Sequence, residues 1–199
     1  MTHQIKKIPT PHLAVTLLEG ELQRVEKQTR FRKTLFHTVF LLVIVAAIAI
    51  LFSVLFFPVL RVFGASMSPV LQEGDMVIAV KTEHIRPGEL VAFYYGNKVL
   101  IKRCIASGGD TIDIDANGNV FVNDQLLEEP YLIEKSKGEC DQEFPFRVPD
   151  GRIFVMGDQR EISVDSRNSQ IGCIPPEQII GKIILRIWPL DRICFHFKR

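Results

Sequence analysis

The sequence predicts a mainly β protein carried behind a single N-terminal transmembrane helix. Three observations lead there: one long uncharged apolar run near the start, a succession of short strand-like runs after it, and turns rich in Gly, Asn, Asp and Pro between them. With 199 residues the chain has room for one well-filled domain and an anchor, not for two large domains. Lys and Arg together number 24 against 23 Asp and Glu, so no basic field marks a nucleic-acid partner.

The apolar run comes first. No Asp, Glu, Lys or Arg lies between Lys33 and Arg61, and from Val39 to Phe57 the only polar residue is Ser53. As a helix these residues span roughly 28 Å, close to the hydrocarbon thickness of a bilayer. A secretory signal would have a shorter core and start nearer Met1. We therefore expect a transmembrane helix over 34–60, a cytoplasmic segment over 1–33 and an extracytoplasmic β domain over 61–199. Orientation follows from Lys27, Arg30, Arg32 and Lys33 before the run, against Arg61 alone close behind it. Within 1–33 the residues Leu13, Val15, Leu17, Leu18, Leu22 and Val25 suit a short amphipathic helix, which fits a membrane-surface contact and a solvated tail equally.

Past Arg61 the pattern turns to strands. Candidates are Met76–Val80, Leu90–Tyr95, Val99–Ile105, Thr111–Ile114, Val120–Val122, Arg152–Met156, Ile179–Trp188 and Ile193–Phe197. Ala116-Asn117-Gly118-Asn119 joins the fourth and fifth, and Asn-Gly between alternating runs is a strong hairpin signal. Residues 138–145 read as a loop inserted between strands. The expectation is a folded-over, antiparallel or barrel-like β domain.

Three stretches carry candidate chemistry. Gly64-Ala65-Ser66-Met67-Ser68-Pro69 places a serine among small residues just past the apolar run. Two serines beside a proline also suit a plain turn. In Leu100-Ile101-Lys102-Arg103-Cys104-Ile105-Ala106, alternation puts Lys102 on one face with Leu100, Cys104 and Ala106. Such a lysine loses hydration and its pKa falls, so that it can take a proton from a hydroxyl; a lysine reaching past its neighbours to water is the plain alternative. The third stretch, Gly157 to Arg167, crowds Asp158, Ser163, Asp165 and Arg167 behind an apolar strand. No histidine is placed for a Ser-His-Asp triad, since His84 sits in a turn and His196 near the end, and no Cys/His spacing reads as a metal site.

Together with Gly74-Asp75-Met76-Val77-Ile78-Ala79-Val80-Lys81 and Lys102-Arg103 through Gly109-Asp110, these stretches resemble the bacterial type I signal peptidases, membrane-bound serine–lysine proteases. The resemblance runs from the apolar helix to about Leu190 and implies a β domain of the signal-peptidase type. It makes Ser66 the nucleophile and Lys102 the general base, with Ser163 orienting the lysine. Asp158, Asp165 and Arg167 match supporting positions, and Arg103 looks like the partner of Asp158. Val62, Met67, Leu71 and Ile101 should line shallow pockets for small residues one and three positions before the cut. Some members carry a serine where this chain has Gly64, so the oxyanion hole should rest mainly on the Ser66 backbone N–H. Ala106-Ser107-Gly108, Gln159 and Glu161 also depart from the usual pattern.

The resemblance implies a membrane-bound endopeptidase that cleaves signal peptides from exported preproteins by acyl transfer, without a cofactor or metal. Expected partners are those signal peptides, the lipid bilayer and, by proximity, the secretion translocase, with no nucleic acid. Two rival readings are an inactive, membrane-tethered β binding module and a self-cleaving serine–lysine protease of the repressor type. Of four cysteines, Cys104 and Cys194 read as core thiols, whereas Cys140 and Cys173 lie in Gly-flanked loops and suit a disulfide, with four reduced thiols as the plain alternative.

Overall fold

The computed structural model describes residues 11–82, 84–195 and 197. The chain divides into two compact units, 1–51 and 52–199. The first is helical. Helix α1, Pro11–Phe56, runs without interruption through the expected cytoplasmic segment into the apolar run. Over Lys27–Phe56 it is long and apolar enough to cross a membrane, and its side chains there are not covered by the protein. The side chains of Leu13 through Leu22 and of Val25, on which the amphipathic expectation rests, lie outside the described residues. The helix stops at Phe56 rather than at residue 60, because Pro58 cannot continue the ladder. Instead the Pro58 carbonyl accepts from Ala79 N–H at 2.9 Å, and the chain enters a strand.

That strand, β1 (Val59–Arg61), is the edge of a six-stranded antiparallel sheet. Its other members are β2 (Met76–Val80), β3 (Leu90–Tyr95), β4 (Lys98–Ser107), β9 (Ile153–Met156) and β10 (Ile179–Trp188), in the order β1-β2-β10-β3-β4-β9. A second sheet has the order β7-β6-β5-β8, built from β5 (Thr111–Ile114), β6 (Val120–Val122), β7 (Gln125–Leu126) and β8 (Phe146–Arg147). The domain is thus mainly β and antiparallel, as the alternating runs imply. The Asn-Gly hairpin forms between β5 and β6: Asp115 Oδ1 accepts Asn117 and Asn119 N–H at 2.9 and 2.8 Å, and Gly118 takes φ +79°.

The large sheet buries both faces. In β3, Leu90 and Ala92 join one apolar cluster with Met67, Leu71 and Phe197, while Val91 and Phe93 join another with Cys104 and Val155. In β9, Phe154 and Met156 face a third cluster with Ile105, Ala106 and Ile112. A bulge in β4 between Cys104 and Ala106 corrects the sequence reading there. Leu100 and Cys104 keep one side, but Ala106 leaves it and packs with Ile105. The strand expected over Ile193–Phe197 is also corrected. A 3-10 turn, Leu190–Arg192, is followed by a single bridge between Cys194 and Arg186, and Phe197 plugs the core.

Candidate active site

Ser66 sits in a turn between β1 and β2, held by Ser68 N–H on Ala65 O at 2.9 Å and Leu71 N–H on Met67 O at 2.9 Å. Met67 and Leu71 anchor the turn in the core. On its open side lies a cavity of about 710 Å³ lined by Ser66, Gly64, Val62, Met67 and Ile101 among others. Three of the four expected pocket residues therefore line it. Leu71 is fully buried in the core and is not among the residues that line it. Gly64 takes φ +77°, and the Ser66 N–H makes no hydrogen bond to another described residue.

Lys102 comes from the middle of β4, where it pairs with Val91 of β3. Its side chain is only 3% exposed. Nζ donates to Ser163 Oγ at 2.9 Å. Burial lowers the lysine pKa to about 8, against Asp165 and Asp158, which raise it, and with help from Arg167. The segment after β9 gathers the parts. Ser66 O accepts from Gln159 N–H at 3.0 Å, Ser163 takes the lysine, and Gly157 stands between them. A Cβ on Gly157 would lie 2.1 Å from Ser163 Oγ and 2.7 Å from Ser66 O, so only glycine leaves room for both.

Around this centre are three buried ion pairs. Arg103 holds Asp158 through Nε and Nη2 at 2.8 and 2.7 Å, and its Nη1 donates to the carbonyls of Gly88 and Phe197. Its guanidinium also lies 3.9 Å from the ring centre of Tyr131. Arg167 pairs with Asp165 at 2.8 Å and donates to the carbonyls of Lys137, Arg160 and Ser163. Arg160 pairs with Glu129, which also accepts from Tyr131 Oη at 2.9 Å. Burial pushes Asp158 above the usual carboxylate range despite Arg103. Asp165 is held below that range: burial pushes it up, but the Arg167 hydrogen bonds and charge and the Gly157 N–H outweigh burial.

The expected Arg103–Asp158 pair is present, and Ser163 stands beside Lys102. Glu129, Tyr131 and Arg160 were not foreseen; a run of Glu128, Glu129 and Pro130 reads as an exposed turn, and its partner lies 31 residues away. The inserted loop does reach this shell, though not by a disulfide. The four cysteines form no disulfide, so the Cys140–Cys173 bridge is corrected. Cys173 packs with Phe154 and Met156, and Cys140 Sγ turns to Gln142 O. Arg167 does the tethering, through Lys137 O at 2.7 Å and through its own carbonyl on Gln142 N–H at 3.2 Å. Cys104 is a buried thiol whose pKa burial pushes up to about 12, so it stays protonated. His84 is exposed, and His196 lies outside the described residues. Among the described residues, no cluster of His, Cys, Asp and Glu is grouped to hold a metal.

A hydroxyl at the rim of an apolar cavity, beside the shell of a desolvated amine, is the equipment of nucleophilic catalysis without histidine. A signal peptidase I from Bacillus licheniformis is 31% identical over 84% of this chain and 96% of its own length. The thylakoidal processing peptidase 1 of Arabidopsis thaliana chloroplasts is 35% identical over 65% of this chain, which spans 42% of that longer relative. A crystal structure of a signal peptidase I from Enterococcus faecalis V583 superposes with a TM-score of 0.44 and 22% identity, covering 51% of this chain and 98% of that one. Residues 34–188 match the family described as Signal peptidase, peptidase S26, and the chain belongs to it.

Proposed function

We propose that this chain is a membrane-anchored serine endopeptidase that removes signal peptides from preproteins, with Ser66 as nucleophile and Lys102 as general base. The observation that carries the assignment is Lys102 itself: a buried amine with a pKa near 8, aimed by Ser163 Oγ at 2.9 Å. At neutral to mildly alkaline pH a useful fraction of it is neutral and can accept the Ser66 proton.

Attack of Ser66 Oγ on the peptide carbonyl forms a C–O bond, and the hydroxyl proton passes to Lys102 Nζ. The Ser66 N–H faces the developing oxyanion. Collapse breaks the C–N bond, and the lysinium returns the proton to the leaving amine. Water then enters, activated by the neutral lysine, and releases the acyl group as a carboxylate. Val62, Met67 and Ile101 make the cavity apolar and shallow enough to favour small side chains one and three residues before the cut. Asp158, Arg103, Asp165 and Arg167 hold the segment that carries Ser163.

The cations before the span support an orientation with the residues ahead of α1's apolar stretch in the cytoplasm and the β domain outside, on the side where signal peptides emerge from a translocase. Neither rival reading gains support, since a binding module has no use for a desolvated lysine that costs stability. The test is incubation of the detergent-solubilised chain with a preprotein. Wild type should release the mature protein and Ser66→Ala should release none; cleavage by Ser66→Ala at wild-type rate would reject the assignment.

A further inference from the structure

The cavity beside Ser66 has a charge pattern that cleavage itself does not require. Of the side chains that line it, only Ser66, Arg61 and Lys98 are polar, and no carboxylate is among them. Both cations are exposed, and neither pairs with an acid among the described residues. Arg61 lies 5.7 Å over the ring of Phe63, which is 75% exposed, so its position is partly fixed at the rim.

Backbone edges show how a peptide would meet them. β1 pairs with β2 only, leaving its other edge open. In β4, residues 98–101 pair with β3, whereas β9 begins to pair only at Arg103. The outer edge of that first half is therefore also open, and both open edges border the cavity. An extended peptide can add to such an edge. Along β4 the distance from Lys102 to Lys98 is roughly 13 Å, or four residues of extended chain. On the proposed function, the residues before the cut occupy this cavity, and the fourth and fifth of them come level with Lys98 and Arg61.

We infer that Arg61 and Lys98 are specificity-determining residues that read a carboxylate four or five residues before the cleavage site. The ligand chemistry is an Asp or Glu side chain on an extended peptide. Because both cations are exposed, the preference is modest, roughly fivefold, and shrinks with added salt.

The experiment uses the full chain in neutral detergent and three quenched-fluorescence peptides that share one cleavage site. They differ only in Glu, Gln or Lys at the fourth and fifth positions before the cut. Wild type should cleave the Glu peptide with a kcat/KM roughly fivefold above Gln, carried in KM, with Lys lowest and the spread collapsing at high salt. Arg61→Glu with Lys98→Glu should invert the order, a ratio that a merely damaged fold would not reverse. Equal cleavage of all three peptides by wild type overturns the inference alone, and so does equal cleavage with the cations instead driving binding to anionic vesicles. Failure of wild type to cut any peptide counts against the proposed function.

Discussion

Lys102 shows how one side chain couples stability to activity. Its folded pKa of about 8 lies below the ordinary 10.5. Between those values the unfolded chain binds the extra proton, so the lysine's contribution to stability rises with pH across that window. Below about pH 8 the folded state carries a buried cation, a cost of roughly 3 kcal/mol by the size of the shift. Lys102→Met should therefore abolish activity yet stabilise the domain near pH 6.5 by roughly 2 kcal/mol, the unpaired Ser163 hydroxyl taking back part of the gain. Near pH 10.5 that advantage should vanish. Melting curves of both proteins at the two pH values check this, and a gap that does not change with pH would refute it. Activity of the wild type should fall about tenfold per unit below pH 8.

At the scale of elements, the turn after β9 is where catalytic geometry is set. Gly157 is crossed by Ser163 on one side and the Ser66 carbonyl on the other. Gly157→Ala should displace Ser163 Oγ by an ångström or more, cost about 1–3 kcal/mol as an overpacked site, and cut kcat about a hundredfold. Activity and melting temperature both staying at wild-type values would refute the close packing of Ser163 and the Ser66 carbonyl on Gly157. β3 was legible in the sequence because each of its faces buries its own cluster, and β2 because buried Val77 and Ala79 alternate with more exposed neighbours. Lys102 was legible because Leu100 and Cys104, its neighbours on the same face of β4, are apolar. β1, β7 and β8 were not, being only two or three residues long, and β1 and β8 are held by partners distant in sequence. The burial of Leu71 was not legible, because an irregular turn has no period to say which way a side chain points. The hold of Arg167 on the inserted loop was not legible, because it runs through backbone carbonyls, which leave no residue pattern.

For the whole molecule, the question is which side of the membrane each part occupies. Helix α1 carries no charge between Lys33 and its end at Phe56, and four cations precede that stretch. Each Lys or Arg costs about 2.5–3.5 kcal/mol at the centre of a bilayer, so the span cannot slide far toward its N-terminal flank. With that flank held at the cytoplasmic face, as proposed, Ser66 would lie on the opposite side, ten residues beyond Phe56 and within about 33 Å of contour. A protease added outside intact cells stripped of their wall should digest the β domain and leave a fragment containing the first 33 residues. A reporter fused behind Arg199 should then be lost to the same treatment, whereas one fused ahead of Met1 should be spared. If the reporter at the C-terminus survives and the one at the N-terminus is cut, the orientation is reversed and Ser66 would face the wrong compartment for emerging signal peptides.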